Sequence, residues 1–172
     1  FGRDGSGEIF GRLRAAGHAG LYARGIEGFE AWLDFVLDAK NAQLLTPAYS
    51  PPVAAQVGLV SYRFLRLACP GFASACARFS GAADVRRHFE REKIIGAVIR
   101  YEALTEDLSS LIAGPLKHAI NDIGAAQAWI RGTPPINPSN RRDRLTPVAL
   151  APATLDKLRA REWFMYENFY TQ

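Results

Sequence analysis

The stretch that decides the fold is Ile94–Leu111, which reads IIGAVIRYEALTEDLSSL. Its first part is rich in β-branched side chains, which favour a strand. The polar and acidic triplet TED at 105–107 is typical of the start of a helix. The sequence therefore predicts a buried strand over 94–100 that brings the carboxylate of Glu102 into a strand-to-helix turn.

Apolar residues elsewhere follow the spacing of helices. In Phe29–Leu37 they recur at i, i+3, i+4, i+7 and i+8, which predicts an amphipathic helix. A second helix within Val53–Ala68 has the apolar stripe Val60, Phe64 and Leu67. A third helix begins at Ala151-Pro152, with proline in its first turn. Its predicted buried stripe consists of Leu155, Leu158, Met165 and Phe169.

Length and composition limit the class of protein. With 172 residues, 48% of them hydrophobic, the chain can bury the core of one domain. We take residues 1–172 as a single, N-terminally incomplete domain, since the chain begins with Phe1, and 1–7 as a flexible tail. Charged residues interrupt every apolar segment, so we predict a soluble, cytoplasmic protein without a membrane span. A net charge of +4 favours anionic partners.

The cysteines and histidines do not form a recognisable metal or redox motif. Cys69 and Cys76 are seven residues apart, which matches neither a redox pair nor a zinc knuckle, so we expect reduced, buried thiols. His18, His88 and His118 have no Cys, Asp or Glu at ligand spacing. We predict no metal site and place the three histidines at the surface or in supporting positions.

A second informative stretch lies late in the chain. The sequence PPINPSN at 134–140 precedes Arg141, Arg142 and Arg144. Its prolines favour an extended loop, and guanidinium groups suit an anionic ligand because they bind oxygen atoms in pairs. A solvated loop whose arginines pair with Asp143 and nearby carboxylates is the alternative.

The motifs, in the order in which they occur along the chain, resemble the C-terminal portion of PAPS-dependent sulfotransferases. The resemblance runs from about Phe29 to the end of the chain. It rests on RYEAL at 100–104, NPSN at 137–140, the basic loop, and the aromatic WFMY at 163–166 in the terminal helix. It implies an α/β fold: a predominantly helical portion of a P-loop-like sulfotransferase fold, with a small parallel-sheet remnant.

The resemblance also implies a reaction and a cofactor. Such enzymes are transferases that move a sulfuryl group from 3′-phosphoadenosine-5′-phosphosulfate (PAPS) to a hydroxyl or amine acceptor, without a metal. The protein holds donor and acceptor in line and stabilises charge on the leaving phosphate oxygen. The residues that match a nucleotide-binding element are Arg141, Arg142 and Arg144, which would contact the 3′-phosphate. Glu102 and Ser139 match positions that we interpret as architectural.

One departure from the family's pattern keeps other functions open. The family's phosphosulfate-binding loop is not found, since RDGSGE at 3–8 has no preceding strand and no lysine. A non-catalytic sulfotransferase-like subunit with an interaction or structural role is therefore the alternative. A helical nucleic-acid-binding module that uses Arg86, Arg87 and the late arginines is a third hypothesis, but no known DNA or RNA motif supports it.

Overall fold

The structure divides the chain into two compact units. One unit comprises Phe1–Ile94 with Pro147–Gln172, and the other comprises Ile95–Thr146. The structure, a computed structural model, describes residues 11–22, 26–46, 48–133 and 150–170. The hypothesis of a single domain over 1–172 stays a prediction, because parts of both units lie outside these ranges.

Helices form the regular structure of the described residues, and residues 11–15 are helical ahead of those numbered here. In chain order they are α1 Ile26–Leu37, α2 Ala42–Leu45, α3 Pro51–Gln56, α4 Leu59–Ala68, α5 Phe72–Cys76, α6 Ala82–Glu92, α7 Leu104–Ala113, α8 Ile123–Gly132, α9 Pro152–Arg161 and α10 Trp163–Met165. Short 3₁₀ turns lie at Ala19–Tyr22, Ala39–Asn41 and Tyr101–Ala103, and a π turn at Tyr166–Tyr170 follows α10. The second unit contains α7, α8 and the turn Tyr101–Ala103, and the first contains the other helices and turns.

Helix α4 lies at the centre of the first unit, in contact with α5 and α10. Its Tyr62 and Leu65 are fully buried. The ring of Tyr62 packs 5.0 Å from that of Tyr49, and each hydroxyl donates to a backbone carbonyl, at 2.9 Å and 2.8 Å respectively. The core is thus held by apolar packing whose polar tips are satisfied.

The predicted amphipathic helix is confirmed as α1, and its core side includes Leu33, Val36 and Leu37. The predicted stripe of the second helix is wrong. Val60 is 56% exposed and Leu67 is 81% exposed. The segment Val53–Ala68 is two helices, α3 and α4, and the buried side of α4 carries Tyr62, Leu65 and Ala68 instead.

The described part of the second unit is a helix pair with little buried core. Helices α7 and α8 pack on each other, and Gln127 Nε2 donates to the carbonyl of Ser109 at 3.3 Å. None of its described side chains, in residues 95–133, is fully buried. Tyr101 is 85% exposed and Trp129 is 69% exposed. A helix pair of this size leaves much of its apolar surface in contact with solvent.

The expected α/β fold with a small parallel-sheet remnant is wrong for the described part of the chain, which contains helices and turns but no strand. Residues 94–100 form an irregular connection with a bend at Gly96. Ile94 is 70% exposed, so its β-branched side chain is not in a core. A strand requires a neighbour to accept its ladder of hydrogen bonds, and no other strand lies beside this segment within the described ranges.

Candidate functional site

The turn that carries the RYEAL motif is fixed by an ion pair between Arg100 and Asp107. Arg100 Nε donates to Asp107 Oδ2 at 3.0 Å, and Nη2 donates to Oδ1 at 3.0 Å. The backbone N–H of Arg100 adds a third hydrogen bond to Oδ2, at 2.9 Å. A carboxylate in the first turn of α7 therefore holds the residue that precedes the 3₁₀ turn Tyr101–Ala103, in the two-pronged geometry that guanidinium favours.

These hydrogen bonds alter the acidity of Asp107. The Arg100 side chain, followed by its backbone N–H, stabilises the carboxylate and lowers the pKa of Asp107 to about 2. Glu102, which the sequence singled out, lies in the 3₁₀ turn Tyr101–Ala103 with its side chain exposed. The carboxylate that binds the arginine is thus five residues later than Glu102.

A groove of about 260 Å³ lies beside this turn. Most of the side chains that line it are apolar, and the acidic one is Asp107. Its lining consists of Ala97, Val98, Ile99, Asp107, Ser110, Leu111 and Pro115. The groove suits an apolar group, and the ionised carboxylate disfavours a phosphate there.

The predicted nucleotide-binding residues stay a prediction. Arg141, Arg142 and Arg144 lie outside the described residues, as does Ser139. The residues on either side of that segment are described. Thr133 Oγ1 donates to the carbonyl of Trp129 at 2.6 Å.

On the C-terminal side of that segment, the backbone N–H of Ala151 donates to Glu30 Oε1 at 2.9 Å. Ala151 is the residue before α9, and Glu30 lies in α1. The start of the terminal helix is therefore tied to the first unit immediately after the basic segment.

Sequence reasoning missed the most heavily bonded buried carboxylate of the described residues, Glu162. It is 4% exposed and lies in the turn between α9 and α10. Its Oε1 accepts from the backbone N–H of Val60 at 3.0 Å, and its Oε2 accepts from the backbone N–H of Ser61 at 2.8 Å. The Ser61 hydroxyl donates to Oε2 at 2.7 Å. Glu162 thus caps the N-terminus of α4, where the helix dipole favours an anion.

The residues on either side of Glu162 cap the C-terminal end of α3, the helix that precedes α4. Arg161 Nη2 donates to the carbonyl of Ala54 at 2.5 Å, and Trp163 Nε1 donates to the carbonyl of Gln56 at 2.9 Å. Both carbonyls belong to the last turn of α3. Three consecutive residues therefore satisfy the end of one helix and the start of the next. We call Arg161, Glu162 and Trp163 the capping triplet.

Gly58 leaves room for this arrangement. It is the N-cap residue of α4, with φ −70°, a conformation that any residue adopts. A Cβ atom at this position would lie 2.3 Å from the carboxyl carbon of Glu162. The glycine is required because the carboxylate approaches the backbone closely. Its own missing side chain is replaced as a cap by Glu162, which is distant in sequence.

The remaining candidate groups are unreactive or dispersed. Cys69 and Cys76 are free and buried, as predicted, and burial raises the pKa of Cys76 to about 12. At neutral pH Cys76 is therefore a thiol, which is a poor nucleophile. His88 is 8% exposed and therefore does not lie at the surface, which was one of the two positions predicted for it. Within the described ranges, no three His, Cys, Asp or Glu side chains are grouped so that they could hold a metal ion.

Comparisons of the chain with protein-family models, with curated proteins and with solved structures found no match. Among the described residues, no helix combines the length and the apolar character that crossing a bilayer requires.

Proposed function

We propose that this chain forms the acceptor-side helices and the basic segment of a sulfotransferase, which transfers a sulfuryl group from PAPS to a hydroxyl or amine acceptor. The order of the motifs along the chain carries the proposal. RYEAL at 100–104 is followed by NPSN at 137–140, then by the arginines and by the aromatic end of the terminal helix.

The arginine segment is our candidate for the nucleotide contact. Arg141, Arg142 and Arg144 would bind the 3′-phosphate, because each guanidinium can donate two hydrogen bonds to its oxygens. The apolar groove of the second unit does not fit this phosphate, since its charged lining residue is Asp107. In this proposal the groove is a surface for an apolar part of the acceptor.

The exposed apolar surface of the second unit supports a place within a larger enzyme. Ile99 is 38% exposed, Leu104 is 43% exposed and Trp129 is 69% exposed. Large apolar side chains exposed in this way are candidates for contact with another part of a protein or with a ligand. We propose that the donor-binding part of the enzyme covers it.

We also propose a cytoplasmic location. Cys69 and Cys76 are free thiols in the structure, which is typical of proteins from reducing compartments. The compartment suits an enzyme that uses a nucleotide donor.

Calorimetry with 3′-phosphoadenosine-5′-phosphate, on the full-length protein that contains this chain, tests the proposal directly. Replacing Arg141 and Arg142 by alanine should weaken binding by about 1 to 3 kcal/mol for each charge-assisted contact that is lost. Arg131→Ala is the matched control, because Arg131 is an exposed arginine of α8 outside the basic segment. A parallel assay measures transfer of labelled sulfuryl groups from PAPS to a panel of hydroxyl and amine acceptors.

The outcomes separate the hypotheses. Nucleotide binding with sulfuryl transfer supports the enzyme. Neither binding nor transfer would favour the alternative, a non-catalytic sulfotransferase-like subunit with an interaction or structural role. Nucleotide binding that is unchanged by the double substitution would remove the two arginines from the site without refuting the activity.

A further inference from the structure

A cavity of about 250 Å³ lies beside α6 in the first unit. Residues Asp84, Arg87, His88 and Arg91 line it from α6, and their spacing of i, i+3, i+4 and i+7 places them on one face of the helix. Arg78 lines the cavity from the connection before the helix, together with Phe79. The chain thus brings three guanidinium groups and an imidazole to one small space.

The lining has an excess of positive charge. Arg78 has no carboxylate partner within the described residues. Asp84 accepts hydrogen bonds from the N–H and hydroxyl of Ser80, at 2.9 Å and 2.7 Å, and pairs with Arg87 at 3.1 Å. These contacts, the Ser80 hydrogen bonds first, hold the pKa of Asp84 below its ordinary value. Its negative charge is therefore already engaged by neighbours.

Arg91 can also donate hydrogen bonds to a ligand in the cavity. Its Nε atom pairs with Glu92 at 2.6 Å, and Glu92 is not part of the lining. The Arg91 side chain is 67% exposed, and an ion pair in such a position adds little stability. Its guanidinium retains other N–H groups that can donate to a ligand.

His88 contributes a buried imidazole to the lining of the cavity. It is more than nine-tenths buried, with its ring 5.8 Å from that of Phe72 and 5.4 Å from that of Phe79. Its Nε2 atom is buried and has no hydrogen-bond partner within the described part of the chain. A buried polar nitrogen without a partner costs free energy, and a bound acceptor that reaches Nε2 from the cavity would remove that cost.

We propose that this cavity binds a tetrahedral oxyanion, a phosphate or sulfate group, held by Arg78, Arg91 and His88. The two guanidiniums supply charge-assisted hydrogen bonds, and the imidazole donates from Nε2 when a proton is on that atom. The proposal uses none of the residues 141–144 and does not depend on the sulfotransferase proposal. The anion is either free or part of an ester on a larger molecule.

Histidine NMR on the full chain with inorganic phosphate tests the site. The chain has three histidines, so the side-chain nitrogen spectrum contains few signals. We expect the Nε2 resonance of His88 to shift in a saturable manner, while those of His18 and His118 stay in place. Chloride at equal ionic strength is the reference, and an equal shift with chloride would overturn the proposal.

Substitution of the arginines provides the second measurement. Arg78→Gln combined with Arg91→Gln should weaken phosphate binding at least tenfold. Arg63→Gln should not, because Arg63 is an exposed arginine of α4 that does not line the cavity. Equal losses in both variants, or no loss in the double variant, would refute a specific site. Circular dichroism checks that each variant is folded.

A third titration distinguishes the two sources of the anion. Phenyl phosphate carries the same charged group on an ester. Binding as tight as that of inorganic phosphate would support an ester on a larger molecule, and much weaker binding would support the free anion. The absence of a saturable His88 shift with both probes would contradict the proposal.

Discussion

The carboxylate of Glu162 lies 2.7 Å from the hydroxyl of Ser61, and the two residues are 101 positions apart in the chain. This contact joins the C-terminal end of the first unit to the start of its central helix. Because Glu162 also accepts hydrogen bonds from two backbone N–H groups of α4, it replaces a local N-cap side chain. The stability of α4 therefore depends on a residue of the terminal segment.

We expect Glu162→Ala to lower the free energy of unfolding by about 2 to 4 kcal/mol, since it leaves buried donors without an acceptor. Urea denaturation followed by circular dichroism measures the loss. Glu90→Gln is the control, because Glu90 forms an exposed pair with Lys93 and should cost less than about 1 kcal/mol. Equal costs for the two variants would mean that the buried cap contributes no more than a surface pair.

The close approach of Gly58 to Glu162 predicts a coupling between these two positions. In the natural background, Gly58→Ala should destabilise the fold by about 2 kcal/mol or more, because the new Cβ would displace the carboxylate. In the Glu162→Ala background the same change should cost much less, since the obstructing atoms are gone. The four urea midpoints give the interaction energy of a double-mutant cycle.

Gly81→Ala is a matched control for that cycle. Gly81 is also an N-cap glycine with extended backbone, and a Cβ there meets no atom within 4 Å. Its cost reports only the preference of the N-cap position for glycine over alanine. If Gly58→Ala costs no more than Gly81→Ala, the steric argument is wrong.

The sequence predicted the elements that depend on local pattern. Helix α1 was identified from its apolar period. That prediction succeeds because 3.6-residue periodicity is a property of neighbouring positions. The buried thiols of Cys69 and Cys76 follow in the same way from residue type.

The errors arise where distant residues decide the outcome. The β-branched run at 94–100 was interpreted as a strand, but a strand forms only beside a partner. The stripe expected in the terminal helix assumed one continuous helix. The chain turns at Glu162, so Phe164 becomes the fully buried side chain in place of that stripe.

In the candidate site too, the local features could be predicted and the contacts between distant residues could not. The turn at 100–107 was recognised from its motif, but the partner of Arg100 was not, because several nearby carboxylates could have taken that role. Glu102 was the carboxylate singled out in this turn, and the structure gives Asp107 as the partner of Arg100. The capping triplet could not be inferred, since its contacts with α3 and α4 join residues about a hundred positions apart.

The pair formed by Arg100 and Asp107 predicts a specific dependence on pH. The pKa of Asp107 is about 2 in the fold, against about 3.9 for an unfolded aspartate. Because the folded value is the lower one, the pair stabilises the fold above about pH 4. That contribution is lost as the pH falls from about 4 to about 2.

Carbon NMR of the Asp107 carboxyl group measures this pKa directly. Arg100→Gln should raise the pKa towards the ordinary value, because the main hydrogen-bond donor and the positive charge are both lost. Arg131→Gln, a change of the same type in α8, should leave it in place. An unchanged pKa in the Arg100 variant would show that the arginine does not hold this carboxylate.

The aromatic cluster at the end of the chain sets the last prediction. Phe164 is fully buried, and its ring lies 5.1 Å from that of Phe89 and 6.2 Å from that of Phe64. Phe164→Ala should lower the free energy of unfolding by about 3 to 5 kcal/mol, because it removes a buried ring and leaves a cavity. Tyr170→Ala is the control, since Tyr170 is 49% exposed.

Denaturation midpoints of the two variants, measured in urea, decide the point. A large loss for Phe164→Ala and a small one for Tyr170→Ala would confirm that the terminal segment is docked through Phe164. Similar small losses in both would contradict that docking. The capping triplet lies immediately before Phe164, so such a result would also predict a weaker effect of Glu162→Ala. The two experiments therefore test the same contact between the terminal segment and α4, one through an apolar side chain and one through a polar side chain.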